Sequence, residues 1–446
     1  MIPAILGYLC GRRAKVNPRV FWRYLIIGVL ATAPLAIGGF TWYDEVFAGF
    51  FLLAHIPFRT SGGSRLSTVV FVVLIFYMII QSLRGMVNAL DYGESIDALR
   101  KIRWPLFFML YGGLFFLSLR RQVLAVVDKD LLSKIVVLSV VFHLIYLVWG
   151  GVAIAVTGSM VYTQHAMINY AHLHGYMPSV FLAIWTPTAY VSSVLPITAT
   201  AAFMLISNPQ KASRALAWRS LFLSALVVFL FDSRSGTLCL FGLGLVAGFK
   251  LGAKRLLAAG GLIALFLASA SLLHTLGAEK DLDYFFRDIL RTVGVNSDPY
   301  SSSQHDVHRK VWMLSAVPAL MNSTENFLFG YGYRMSSLVV APYVYDLFLD
   351  AGVKSEYQER VSTEGITNLA VDTGVVGLTL FFAVVVLNVI ALYKQQSKQK
   401  WLLLLALVFS VMWLFIINII DSLILFLTIM PYGILVHMGA VVKDEK

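Results

Sequence analysis

The chain has 446 residues, of which 59% are hydrophobic and only 13% charged, with a mean hydropathy of +0.77 and a formal net charge of +11 at pH 7. An ordinary soluble domain has about a quarter of its residues charged, so this composition excludes one and points to an all-α polytopic membrane protein. The basic excess coincides with no RNA- or DNA-binding module, which sets nucleic acid aside as a partner and leaves membrane topology to account for it.

The start, MIPAILGYLCGRR, places its charges after the apolar run and lacks a small-residue cleavage pattern, so it does not read as a removed signal peptide. Apolar runs of membrane-crossing length then predict spans near 24–41, 46–58, 67–83, 104–119, 135–156, 180–206, 219–232, 235–249, 256–275, 367–393, 401–418 and 421–440. That makes about twelve transmembrane helices, with 46–58 and 235–249 shorter than ideal. Placing the N-terminus in the cytoplasm puts 22 of the 35 Lys and Arg residues in cytoplasmic segments, five in short outer loops and eight in one long outer segment. Positive charge retained on the inner side orients a polytopic protein, and here it predicts both termini in the cytoplasm.

Cys10 and Cys239 have no metal or redox spacing and read as packing residues. No half-repeat of the kind common in transporters is visible. The outer loop YTQHAMINYAHLHGYMP (162–178) gathers His165, His172 and His174 with Tyr170 and Tyr176. No carboxylate or cysteine stands at a zinc-like spacing beside them, so no metal is expected. His172, His174 and Tyr170 are assigned instead to a sugar path, against the simpler role of aromatic anchors at the membrane interface.

Farther on, ALVVFLFDSRSGTLCLFGLG (225–244) sets Arg234 between two apolar runs. An ionisable residue at such a place is costly in lipid and marks a functional site by default. The competing role is an interfacial arginine paired with Asp232 or reaching lipid phosphate.

The long outer segment, from about Gly277 to Gly365, divides the chain into a transmembrane part over 1–276, a loop domain over 277–365 and a second transmembrane part over 366–446. A loop this long is usually functional or disordered, and its composition argues for order. LDYFFRDILRTVG (282–294) reads as an amphipathic helix, KVWMLSAVPALM (310–321) has helical spacing, and NFLFGYGYR (326–334) reads as an aromatic turn with two glycines. The segment holds twelve acidic residues against eight basic ones, so a phosphate site in it must be a specific arrangement. QHDVHRKVW (304–312) places His308 and Arg309 at the start of a helical run, where free N–H groups and a planar guanidinium both suit phosphate.

Three segments in one order then resemble a known family. DSRSG (232–236), HRKVWMLSAVPALMNSTENFLFGYGY (308–333) and STEGITNLAVDTGVVGLTLFF (362–382) are similar to the hallmark half of the O-antigen polymerase and O-antigen ligase superfamily. The motif resemblance covers roughly 219–393, and the topology covers the whole chain. It implies a bacterial inner-membrane glycosyltransferase of the C type, with its active site facing the periplasm and no cofactor. The donor would be glycan carried on undecaprenyl pyrophosphate, and the acceptor a second lipid-linked unit or lipid A–core, with a chain-length regulator and membrane lipids as further partners. Preorganised cations stabilise the charge on a departing pyrophosphate. Arg234 and Arg309 are assigned that role, with Arg334 as a third pyrophosphate contact and His308 beside the sugar.

The ligase branch typically carries a His-Asn pair about ten residues before the glycine opening the last motif. Counting back from Gly374, that place holds Thr363-Glu364. Polymerases of the family often have an acidic residue there, which favours polymerase and makes Glu364 the general base. Its simpler role is to cap the next helix, with Thr363 beside it. A lipid-linked sugar transporter is the reading from another class, disfavoured by the missing half-repeat and the long outer segment.

Overall fold

The computed structural model describes residues 2–17, 20–32, 43–56, 66–93, 101–118, 129–157, 194–206, 211–230, 234–251, 314–350, 365–394 and 400–416. Among these the chain is all helical, with α1 (Ile2–Val16), α2 (Phe21–Thr32), α3 (Tyr43–Leu53), α4 (Leu66–Asp91), α5 (Arg103–Ser118), α6 (Lys129–Thr157), α7 (Leu195–Ile206), α8 (Lys211–Leu230) and α9 (Arg234–Leu251). There follow α10 (314–321), α11 (Thr324–Phe329), α12 (Ser336–Asp350), α13 (Ile366–Tyr393) and α14 (Lys400–Ile416). Two of the described helices are long and apolar enough to cross a membrane, over Val69–Asp91 and Ile366–Tyr393. Shorter apolar helices cover Phe21–Thr32, Arg103–Leu117, Leu195–Ile206, Gly236–Gly248 and Lys400–Val411.

The described helices pack in a closed ring, and one helix of the bundle is buried against part of it. All twelve residues of α7, LPITATAAFMLI, are buried, as befits a helix apolar on every side. It packs against α6, α8, α9 and α14. The ring continues from α14 through α13, α4, α5 and α3 to α2, which returns to α6. Small residues let helices approach where they must. Gly7 and Gly11, one turn apart on α1, face the backbone of Phe47 and Phe51 on α3, and a Cβ at either would collide with those carbonyls.

The predicted spans 104–119, 367–393 and 401–418 correspond to α5, α13 and α14 within about two residues. Other boundaries differ for local reasons. The helix predicted over 46–58 begins at Tyr43, because Asp44 and Glu45 occupy its first turn, where carboxylates are favoured by the helix dipole. Inside the run 180–206, the described helix begins at Leu195 after a turn at Val194, with Pro196 in the first turn, where its missing N–H costs nothing. The spans 256–275 and 421–440, the helix over 282–294 and the loop over 162–178 lie outside the described residues.

A second, smaller core lies beside the ring. Ala89 of α4, Ala316 and Ala319 of α10, Tyr331 and Met335, Val339 and Val340 of α12, and Val371 of α13 form one buried cluster. Residues from 314 to the start of α12 are thus packed onto the end of α4 and the beginning of α13.

Candidate functional site

The turn between α11 and α12 is where residues 314–350 meet the ring. Ser323 caps α11 by accepting a hydrogen bond from the Asn326 N–H at 3.0 Å. Gly330 ends the helix at φ 71°, Gly332 follows at φ 99°, and Arg334 takes φ 64°, the only described residue other than glycine with positive φ. L-residues rarely hold that conformation without compensation. The compensation is Asp372. One of its oxygens, Oδ2, accepts from the Arg334 N–H at 2.8 Å, and the other, Oδ1, accepts from Met335 at 3.0 Å and Ser336 at 2.8 Å.

The opposite side of the turn is held by a break in α13. Gly374 sits at φ 64° and ψ −172°, outside helical values, so the carbonyls of residues 371–373 lose their ordinary partners four residues later. Two of them are taken by the turn: Tyr331 N–H donates to Val371 O and Gly332 N–H to Asp372 O, both at 2.9 Å. The third, Thr373 O, accepts from the Tyr77 hydroxyl of α4 at 2.5 Å. Tyr333 N–H donates to Gln81 O at 2.8 Å, and Asn88 donates to Tyr331 O at 2.6 Å. The irregular backbone is therefore hydrogen-bonded on both sides, as buried polar groups require.

Cations surround this turn. Lys101, 4% exposed, donates to Arg334 O at 2.5 Å. The guanidinium carbons of Arg103 and Arg334 lie 4.5 and 5.0 Å from the centre of the Trp104 ring, so one indole takes two cations. Trp104 meets Tyr333 edge-on at 5.4 Å, and Phe108 meets Tyr333 at 5.3 Å. Burial pushes the Tyr333 phenol well above its ordinary value, so it is neutral at physiological pH and acts by packing. Asp372 is the acidic neighbour of Arg334 and Lys101.

A second buried polar group ties α6 to α8. The His143 ring nitrogens lie 3.1 Å from Ser139 Oγ and 3.1 Å from Ser224 Oγ, and Ser220 Oγ donates to Ser139 Oγ at 3.0 Å. All four side chains are buried. Hydrogen bonds between helices in an apolar interior fasten them together, and that is the work of this group.

Of the residues singled out from sequence, Arg334 is the one described in full. It lies in the turn with its peptide groups held by Asp372 and Lys101 and its guanidinium on Trp104. Arg234 is the first residue of α9. Glu364, Arg309, His308, Tyr170, His172 and His174 lie outside the described residues. Glu364 immediately precedes Gly365, the N-cap of α13. Among the described residues, no group of three His, Cys, Asp or Glu side chains is placed to hold a metal ion.

Sequence reasoning missed Asp372, Lys101, Arg103, Trp104 and Tyr77. A faint signal existed for three of them. RKIRW (100–104) sets three cations beside a tryptophan at the edge of an apolar run, a grouping that membrane segments otherwise avoid.

The described residues form a helical protein in which two helices, α4 and α13, are long and apolar enough to cross a membrane, and the turn after α11 is clasped to both. Comparison with known protein families finds no match, and comparison with curated proteins finds none.

Proposed function

We propose that the chain is a polytopic inner-membrane glycosyltransferase that polymerises a surface polysaccharide such as O-antigen at the periplasmic face. In this reading about twelve spans cross the membrane, both termini are cytoplasmic, and the donor is glycan on undecaprenyl pyrophosphate. The observation that carries it is the clasp between FGYGYR (329–334) and AVDTG (370–374). These are two of the three segments on which the family resemblance rests, and they are hydrogen-bonded to each other across 38 residues of sequence.

The clasp supports a mechanism because it holds both approaches to the reactive residues. Glu364 is bonded to Gly365 at the head of α13, and Arg309 stands five residues before Leu314 at the described start of α10. Five residues reach at most about 18 Å, which bounds the separation of Arg309 from Leu314. Arg234 heads α9, between two apolar helices.

In the reaction, a hydroxyl of the acceptor unit attacks the anomeric carbon of the donor glycan. A new C–O bond forms as the bond from that carbon to the pyrophosphate oxygen breaks, and its electron pair leaves with undecaprenyl pyrophosphate. Glu364 takes the hydroxyl proton as general base. Arg234 and Arg309 hold the pyrophosphate as its charge grows, and Arg334 contributes positive charge from the turn while fixing the backbone. His308, His172, His174 and Tyr170 contact sugar.

The test uses purified protein with synthetic undecaprenyl-pyrophosphate glycan, with and without lipid A–core. A ladder formed from carrier-linked substrate alone, and lost in Arg234→Ala, Arg309→Ala and Glu364→Gln, is expected. Product only with lipid A–core would replace polymerase by ligase. No product with either acceptor would replace the enzyme by a lipid-linked sugar transporter.

A further inference from the structure

The part of the outer segment that leads into the clasp is built inside out. On α10 the buried positions are small, Ser315, Ala316 and Ala319, while Leu314, Val317 and Met321 point outward, Met321 at 72% exposure. On α11 no residue is buried, and Phe327, Leu328 and Phe329 are all exposed. A water-facing hairpin would bury its large apolar side chains and expose its small and polar ones. Small residues inward and large apolar residues outward is the pattern of a surface that meets lipid.

The position of this face says what covers it. Tyr77 of α4 lies 3.4 Å from the Phe329 carbonyl, and Arg84 of α4 makes a 2.8 Å ion pair with Glu325. Tyr77 and Arg84 are two turns apart, so α11, which packs on α13, is tied to α4 at two points about 10 Å apart along it. On that stretch Phe76, Ile80 and Leu83 are exposed, and α4 is one of the helices long and apolar enough to cross a membrane. Val375, just past the break in α13, is exposed as well. The outward face of the hairpin thus continues the outward face of two spans at one level. Its polar rim, Asn322, Ser323, Thr324 and the Arg84–Glu325 pair, lies alongside. An apolar face with a polar rim, lying beside the C-terminal half of a span with α10 packed at its end against Ala89, matches an element seated at the boundary of headgroups and acyl chains.

We propose that residues 314–329 form a lipid wedge: the hairpin inserts Leu314, Val317, Met321, Phe327, Leu328 and Phe329 into the bilayer leaflet at the outer end of α4. The inference rests on the membrane reading proposed above. Its consequence is that the turn at Arg334 is held at the level of lipid headgroups, with the hairpin as its float.

The test is nitroxide labelling of the full chain in liposomes. Cys10 and Cys239 are the free cysteines, so Cys10→Ser and Cys239→Ala provide the background for single cysteines at Val317, Met321, Phe327 and, on α4, Phe76. Collision rates with oxygen, which partitions into lipid, and with an aqueous nickel chelate locate each label. The expected result is oxygen access several-fold above nickel access at all four sites, with the hairpin labels about 5–10 Å deep and shallower than the label at 76. Free nickel access at 317, 321 and 327 with Phe76 still protected would overturn the wedge and leave the membrane reading intact. Exclusion of both reagents at the hairpin would mean that protein covers it, which also overturns the wedge. Nickel access at 76 as well would overturn the wedge together with the membrane reading.

Discussion

Replacing Asp372 by Asn changes little in shape and removes the charge that the turn is built around. If the amide oxygen takes the place of Oδ1, the bonds from Met335 and Ser336 survive, at 3.0 and 2.8 Å in the native protein. The amide nitrogen then takes the place of Oδ2 and points its hydrogens at the Arg334 N–H, which the native carboxylate accepts at 2.8 Å. One charge-assisted hydrogen bond, worth about 1.5–3 kcal/mol, becomes a donor facing a donor, and the two surviving bonds fall to the neutral range of about 0.5–1.5 kcal/mol each. Lys101 and Arg334 also lose their acidic neighbour. The total is about 3–5 kcal/mol, the usual cost of breaking a buried charged pair. Because the loss is concentrated in one turn, it is read best by amide hydrogen exchange of a peptide covering 331–337, compared with one from α6 or α8. Local opening made easier by that amount accelerates exchange roughly 100-fold to several-thousand-fold, with the α6 and α8 peptides unchanged. Exchange within a few-fold of the native rate would refute the assignment of Asp372 as the clasp.

Gly85→Ala tests the same joint from α4. In a free helix this change stabilises by roughly 0.5–1 kcal/mol, but here the new Cβ would run into the Tyr333 carbonyl. The sign therefore reverses, and the variant unfolds at a lower temperature than the native protein in detergent; a rise would show that the turn does not press on α4. His143→Leu tests the fastening of α6 to α8. Ser220 and Ser224 keep other partners, so the loss is modest, about 0.6–1.7 kcal/mol as for polar contacts between helices in a membrane. Unfolding in graded denaturing detergent measures it, and a loss several times larger would mean that His143 does more than fasten the two helices.

The apolar helices among the described residues were legible in the sequence as runs. Each run such as ITNLAVDTGVVGLTLFFAVVVLNVIALY reads as a span because transfer from water is a sum over neighbouring residues, and the observed α13 differs from expectation by one residue at its start. The break at Gly374 within it was not legible, since glycine is common inside apolar helices and only the fold brings Leu328 and Gly330 so close that a Cβ would collide with them. The helix α1 was also missed, because IPAILGYLCGRRAKV mixes glycine and cations with too few apolar residues to stand as a span; it is held by the close approach of Gly7 and Gly11 to α3. The aromatic turn FGYGYR was expected from its glycines. What it closes on was decided only in three dimensions. Asp372 reads in sequence as one acid in an apolar run, and its meaning comes from three N–H groups brought to it from 36 to 38 residues away. Local hydropathy is a property of adjacent residues, whereas a hydrogen-bond acceptor acquires its role from partners that only packing supplies.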